Sequence, residues 1–106
     1  MALKTIKWRE GLELPHDPND IEEYTLSLAA WLGTDAVTGL PNVITGVPTV
    51  VADAGLTAVY IEGTGLNFVG FRISGGTIGV TYKVVIHVAS GTRESDHTIQ
   101  FVVRSR

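Results

Sequence analysis

The segment "GVTYKVVIHVA", Gly79 to Ala89, decides the fold because its side chains alternate between apolar and more polar over nine residues. Apolar residues occupy every second position, and more polar ones fill the positions between. A period of two is that of a β-strand with one buried face. We therefore predict a strand with this inward-facing set: Val80, Tyr82, Val84, Ile86 and Val88.

A second alternating segment, "DHTIQFVVR", follows from Asp96 to Arg104. Its inward set is His97, Ile99, Phe101 and Val103. The residues between the two segments, "SGTRES", are typical of a turn. The pattern predicts a C-terminal β-hairpin with its tip near Gly91 to Glu94.

Further strands are predicted upstream, and the sequence shows no convincing helix. In "EYTLSLAAWL" the residues Tyr24, Leu26, Leu28 and Ala30 alternate with smaller or polar ones. A further strand falls either near Ala36–Val37 or around Val43–Thr45. Turn signals recur about every ten residues, which is typical of an antiparallel sandwich. The other predicted strands are 49–52, with Pro48 indicating an edge or a strand start, 56–63 and 66–76.

The first fifteen residues lack clean periodicity, so we expect an N-terminal arm or linker over 1–15 and a single sandwich domain over 16–106. Trp8, between Lys7 and Arg9, is a candidate anchor for a partner protein. The alternative interpretation is a terminus packed loosely on its own sandwich. If the arm makes no contact, the loops around Gly63 and Arg93 are the next candidates.

Composition excludes several classes of protein. The 106 residues include no cysteine, which rules out disulfides and thiolate metal sites. A net charge of −3 argues against a protein that binds duplex nucleic acid. No apolar segment is long enough to span a membrane, and the first ten residues lack the apolar stretch of a secretory leader.

The sequence shows no catalytic constellation, and we predict no catalytic, cofactor-binding or metal site. The acidic cluster between Asp17 and Glu23 lacks the spacing of a calcium loop and is better interpreted as a capped turn. His87 and His97 are expected on opposite faces of the hairpin, where they cannot share a zinc ion. No Gly-x-Ser-x-Gly motif of a serine hydrolase occurs.

Two stretches together resemble a known family. "DPNDIEEYTLSLAAWLGTDAV", Asp17 to Val37, and "ISGGTIGVTYKVVIHVASGTRESDHTIQFVVR", Ile73 to Arg104, are similar to motifs of small structural proteins of tailed bacteriophages. These are proteins of the fibre–tail adaptor or neck and tail type with an Ig-like β-sandwich. The second motif also has a physical meaning: the Tyr82 hydroxyl can reach back to the preceding glycine-rich connection, as in the tyrosine corner of Ig-like sandwiches.

The strand pattern and the resemblance together predict an all-β fold, a single Ig-like antiparallel β-sandwich of about six to seven strands with a short N-terminal arm. The resemblance implies a non-enzymatic virion structural or adaptor protein that acts by protein–protein contacts in the neck, tail or fibre. The partners would be other virion proteins, with a possible homo-oligomer, and no nucleic acid or membrane. The location would be the virion, after synthesis in the bacterial host cytoplasm.

A carbohydrate-binding or adhesion module is the alternative function. Such a module needs several exposed aromatic side chains on one face, and the chain has only eight aromatic residues. A small metal-dependent enzyme is disfavoured because the sequence offers no site for it.

Overall fold

The computed structural model describes residues 4–105, which form two four-stranded sheets packed face to face. The first sheet has the order β1-β3-β6-β5 and the second the order β2-β8-β7-β4. The elements are β1 (Lys4–Lys7), β2 (Glu13–His16), β3 (Ile21–Ser27), α1 (Ala29–Leu32), β4 (Thr45–Ala52), β5 (Leu56–Glu62), β6 (Phe68–Gly75), β7 (Thr81–Ser90) and β8 (Arg93–Val103).

The all-β sandwich predicted from the sequence is confirmed, with two differences in detail. The described residues contain eight strands, and each sheet is mixed because β1 pairs parallel to β3 and β2 parallel to β8. If β1 and β3 to β8 are lettered A to G, the sheets read A-B-E-D and G-F-C. That is the strand order of a constant-type immunoglobulin sandwich, with β2 added beside strand G.

The N-terminal segment expected to form an arm contributes the two parallel edge strands over residues 4–16. Between them Leu12 is buried, while Ile6 and Trp8 pack against the core. Strands of four residues are too short to show a period, and here each is held by backbone hydrogen bonds to a longer neighbour. The first three residues of the expected arm lie outside the described part of the chain.

In the strands of the C-terminal hairpin, the side chains that face inward are those predicted, except at Val80. β7 pairs antiparallel with β8 from Thr81 opposite Val102 to Ser90 opposite Arg93, so the tip is Gly91–Thr92. The side chains predicted to form the core of the sandwich are all buried: Leu26, Leu28, Tyr82, Val84, Ile86, Ile99 and Phe101.

Two residues that were predicted to face inward, Val80 and Ala30, are exposed. Val80 is exposed because β7 begins one residue later, and Val80 lies in a turn where its N–H donates to the Thr77 carbonyl at 3.1 Å. Ala30 is exposed because the β3 alternation ends at Ser27 and the chain makes one helical turn. That turn buries Leu28 and Leu32, four residues apart, and alanine favours helix there.

The turns at one end of the sandwich confirm two local interpretations. The Tyr82 hydroxyl accepts a hydrogen bond from the Thr77 N–H at 2.9 Å, which is the expected tyrosine corner. Asp17 caps a turn, since its Oδ1 accepts from the Asn19 N–H at 2.8 Å. The nearby carboxylates of Glu22 and Glu23 diverge toward Lys4 and Arg72 respectively.

Candidate partner-binding site

Three connections meet at the opposite end of the sandwich, which we call the loop end: residues 28–44, 63–67 and 91–92. They meet there because β3, β5 and β7 all finish at that end. Backbone hydrogen bonds join the first two, from Leu28 N–H to Asn67 O at 3.0 Å and from Ile44 N–H to Leu66 O at 2.9 Å. The Ser90 hydroxyl donates to Val43 O at 2.9 Å, so the loop end is a connected surface.

Two of the residues predicted to bind a partner lie in an aromatic row at this end, formed by Trp8, His97, Trp31 and Arg93. The Trp8 and His97 ring centroids are 4.7 Å apart with nearly perpendicular planes, and those of Trp31 and His97 are 5.4 Å apart. The Arg93 guanidinium lies 4.5 Å from the centre of the Trp31 ring, a cation–π distance. Residues far apart in the sequence are therefore packed into one row.

Trp8 is half-buried, and its indole N–H donates to the Thr98 carbonyl at 3.2 Å. Trp8 lies in the connection between β1 of the first sheet and β2 of the second, and this hydrogen bond holds the connection against β8. Lys7 and Arg9 on either side are exposed. Trp8 thus rests on its own sandwich with part of its ring accessible, and the two cations stand beside it.

Arg93 joins the hairpin tip to α1. Its guanidinium donates to the Leu32 carbonyl at 3.0 Å and to the Trp31 carbonyl. The last carbonyls of a helix have no partner within the helix, so a neighbouring donor stabilises them. The Asn42 side-chain amide donates to the same Leu32 oxygen at 2.8 Å. Arg93 therefore fixes Trp31 in place as well as bordering the surface.

A hollow of about 340 Å³ lies between the two tryptophans, lined by Trp8, Ser27, Leu28, Ala30 and Trp31. Next to it is a second hollow of about 320 Å³, which Lys7 and Ala29 also line. The small side chains of Ala29 and Ala30 leave this space open. The hollow between the tryptophans is lined mainly by apolar side chains, and the neighbouring hollow adds Lys7 to its lining.

Sequence reasoning missed a projecting loop in the β3–β4 connection. The Asp35 carboxylate accepts from the Thr38 and Val37 backbone N–H groups at 3.0 and 2.7 Å, and these bonds, that from Thr38 first, lower the pKa of Asp35. The loop presents Val37, 94% exposed, and Leu40, 65% exposed. The signal was present in "TDAVTG", an Asp followed by a Gly that closes a turn.

The histidines of the hairpin lie on opposite faces, as predicted. His97 is buried, and burial lowers its pKa. His87 is on the outer face, where its ring nitrogens lie 2.6 Å from Asp96 Oδ1 and 3.0 Å from Glu94 Oε1. These hydrogen bonds, to Asp96 first and Glu94 second, raise the pKa of His87.

Over residues 4–105, no group of three His, Cys, Asp or Glu side chains is placed to hold a metal ion. The one helix among these residues, α1, has four residues, whereas a membrane-spanning helix needs about twenty. All eight aromatic side chains are buried or half-buried, and the exposed large apolar side chains are aliphatic. The exposed aromatic face that a carbohydrate-binding module needs is therefore missing from the described surface.

The fold and the loop end define a small β-sandwich whose connecting loops form one continuous surface. Residues 16–102 match the family described as podophage GP4 fiber-tail adaptor protein gp77. The chain belongs to this family, which confirms the resemblance to phage fibre–tail adaptors. No curated protein sequence matches the chain.

Two solved structures show a similar fold. The solution structure of Amebosin is 14% identical, with a TM-score of 0.52, over 98% of this chain and 100% of that one. The crystal structure of domains 4 and 5 of the S-layer protein SbsC is 19% identical, with a TM-score of 0.50, over 88% of this chain and 49% of that one. At such identities the likeness concerns the fold alone.

Proposed function

We propose that this chain is a non-enzymatic structural protein of the phage virion, which joins other virion proteins through contacts made by its loop end. Membership of the fibre–tail adaptor family over residues 16–102 is the observation that carries the proposal. The chain acts by surface complementarity, and its weak contacts are multiplied in the assembled particle.

The contact surface in this proposal is the hollow between Trp8 and Trp31, with Lys7, Arg9 and Arg93 around it. Tryptophan and arginine are enriched among the few residues that supply most of the binding energy of protein interfaces, and these residues cluster near the interface centre. Here both rings are already held, by Thr98 and by Arg93, so little side-chain freedom is lost on binding. A partner would insert an apolar side chain into the hollow and place acidic residues against the exposed cations.

Ala30→Arg tests this surface. Ala30 is exposed and lines both hollows, so a long side chain fills them without disturbing the core. We expect the variant to keep its melting temperature and to be depleted about tenfold or more from particles assembled with it as the sole copy. Quantitative gels of purified particles measure this, with infectious titre as a second readout.

The matched control is Ile78→Arg, which adds the same side chain at an exposed apolar position in the β6–β7 connection, at the other end of the sandwich. It should enter particles normally. A second variant, Lys7→Glu, should weaken incorporation by reversing the charge at the rim. If the Ala30→Arg chain is incorporated like the wild type, the proposed contact surface is wrong.

A further inference from the structure

We propose that the hollow between Trp8 and Trp31 takes the projecting loop of a second copy of this chain, with Val37 as the inserted side chain. This assignment rests on the proposed function, since it uses the same hollow and names the source of the apolar side chain that fills it. Two features of the chain fit each other: the hollow itself and the projecting loop, residues 34–41.

The projecting loop is held in one shape by its own hydrogen bonds. Thr34 and Pro41 form a β-bridge at its base. The Asp35 N–H donates to Leu40 O, and the Gly39 N–H donates to Asp35 O, both at 2.9 Å. The Asp35 carboxylate accepts two further bonds inside the loop. A loop that is already held in shape loses little conformational freedom when it binds.

This rigid loop presents apolar side chains to solvent. Val37 and Leu40 project from it, and Val43 and Val47 follow in the chain. Over residues 4–105, four of the ten exposed large apolar side chains therefore lie between positions 37 and 47. Single exposed apolar residues are ordinary on a protein surface, but a group of them on one segment indicates an interaction site.

The projecting loop lies away from the hollow of its own copy. Asp35 and Leu40 line a separate hollow of about 420 Å³, which extends to the hairpin tip at Gly91. The hollow between the tryptophans is lined instead by Trp8 and residues within 27–31, and the two hollows share no lining residue. The bridge at the base of the loop keeps it in that position. An insertion of Val37 therefore needs another molecule.

The loop and the hollow carry opposite charges that are not paired within one copy. Asp35 is the one charged residue of the loop, and Lys7 is the one charged residue that lines the two hollows beside the tryptophans. Among residues 4–105, neither Asp35 nor Lys7 forms an ion pair with another side chain.

Charge complementarity selects a second copy as the partner. Inserting Val37 into the hollow brings the Asp35 carboxylate, two residues away, toward Lys7 of the neighbouring copy. Opposite charges at the rim of a contact fix its orientation and disfavour wrong partners. One loop of this chain thus supplies both the apolar side chain and the acidic group that the hollow fits.

Cysteine cross-linking tests the contact directly, because the chain has no native cysteine. The Val37→Cys and Ala30→Cys chains are purified separately, mixed and mildly oxidised, with one of them labelled with ¹⁵N so that mass spectrometry identifies heterodimers. We expect a covalent heterodimer, because position 37 of one copy lies against position 30 of the other. Neither variant alone should cross-link to the same extent. The matched control is a mixture of Ile78→Cys and Ala30→Cys, since Ile78 is exposed at the other end of the sandwich.

Sedimentation velocity measures the association without cross-linking. The wild-type chain should associate reversibly as its concentration rises. Val37→Arg blocks the loop and Ala30→Arg blocks the hollow, and each variant alone should associate about tenfold or more weakly, because burying an unpaired charge in an apolar contact is costly. An equimolar mixture of the two should recover a heterodimer, since one chain keeps its hollow and the other its loop. Both positions are exposed, so circular dichroism should show that the variants fold.

Asp35→Asn tests the charge separately. The amide oxygen can still accept from the N–H groups of the loop, so the change removes the charge and keeps the turn. Association of the wild-type chain should weaken as salt is added, because salt screens exposed charges. The variant should associate more weakly than the wild type and depend less on salt.

Two outcomes would overturn the proposal: a wild-type chain that stays monomeric into the millimolar range, or a Val37→Cys and Ala30→Cys mixture that cross-links no more than the Ile78→Cys control. Both are measured on the purified chain, whereas the proposed function is tested in particles. If the purified chain stays monomeric while Ala30→Arg is depleted from particles, the hollow binds a different virion protein and only the present proposal fails. If the purified chain cross-links as expected while Ala30→Arg enters particles normally, only the proposed function fails.

Discussion

At the scale of single residues, the buried face of β7 sets the stability of the sandwich. Ile86 is fully buried and lies opposite His97 in the hairpin. Ile86→Ala should lower the free energy of unfolding by about 2–5 kcal/mol, because the change removes apolar contact and leaves a cavity. Urea denaturation measures the loss. Val85→Ala, on the outer face, is the control and should cost much less; equal losses would mean that the parity of β7 is reversed.

The tyrosine corner offers a second test at this scale. Tyr82→Phe keeps the buried ring and removes only the hydroxyl that accepts from the Thr77 N–H. We expect a loss of about 0.5–1.5 kcal/mol, the usual net value of one hydrogen bond. Tyr60→Phe provides a matched control, since the Tyr60 ring is half-buried at the edge strand β5. A neutral result for Tyr82→Phe would show that water replaces the contact at no cost.

At the scale of the elements, the β7–β8 hairpin separates two histidines with opposite titration behaviour. The raised pKa of His87 means that its interactions stabilise the fold below about pH 6.5, and this stabilisation is lost as the pH rises through the folded pKa. The lowered pKa of His97 has the reverse consequence. Its stabilisation is present above about pH 6.5 and is lost as the pH falls through its folded pKa.

NMR titration of the imidazole signals should therefore place His87 above and His97 below the ordinary histidine value. His87→Gln should abolish the loss of stability on the alkaline side and leave the acid side unchanged. Coincident titration of the two rings would contradict their placement on opposite faces of the hairpin.

The parallel edge strands β1 and β2 give the second test at the scale of elements. Deleting residues 1–12 removes β1 and the buried Leu12. Burial of one leucine is worth about 1.5–3 kcal/mol, and each kcal/mol shifts the melting temperature of a domain this size by about 4–8 °C. We therefore expect a clear drop in melting temperature. The double variant Lys7→Ala and Arg9→Ala keeps the strand and should not melt earlier. An unchanged melting temperature of the deletion variant would support the interpretation of an independent arm.

At the scale of the whole molecule, the arrangement of the carboxylates that could bind a metal leads us to predict that no divalent ion stabilises the fold. Asp17 is engaged in its turn, and the carboxylates of Glu22 and Glu23 pair with cations. Adding Ca²⁺ or Zn²⁺ in modest excess should leave the melting temperature unchanged, because a ligand stabilises only the state that it binds. A rise of several degrees that EDTA reverses would contradict the prediction.

The sequence by itself determined the long strands, the hairpin and most of the core. It could do so because a half-buried strand of seven or more residues alternates apolar and polar side chains, and this local pattern can be recognised without the rest of the chain. Tyr82, Ile86 and Phe101 were assigned to the core on that ground alone, and the motifs around them indicated the adaptor family. The assignment of inward-facing residues was wrong only just beyond strand ends, at Val80 and Ala30, where the chain is no longer a strand and alternation has no physical basis.

Only the tertiary structure decided the rest. The strands β1 and β2 exist because longer neighbours pair with them, and four residues carry no period of their own. The aromatic row joins Trp8, Trp31 and Arg93, which are separated by more than twenty residues at every step, so no local pattern connects them. The same holds for the edges of the two sheets, because which strands lie at an edge depends on the order of each sheet, and that order is fixed by the packing of the whole chain.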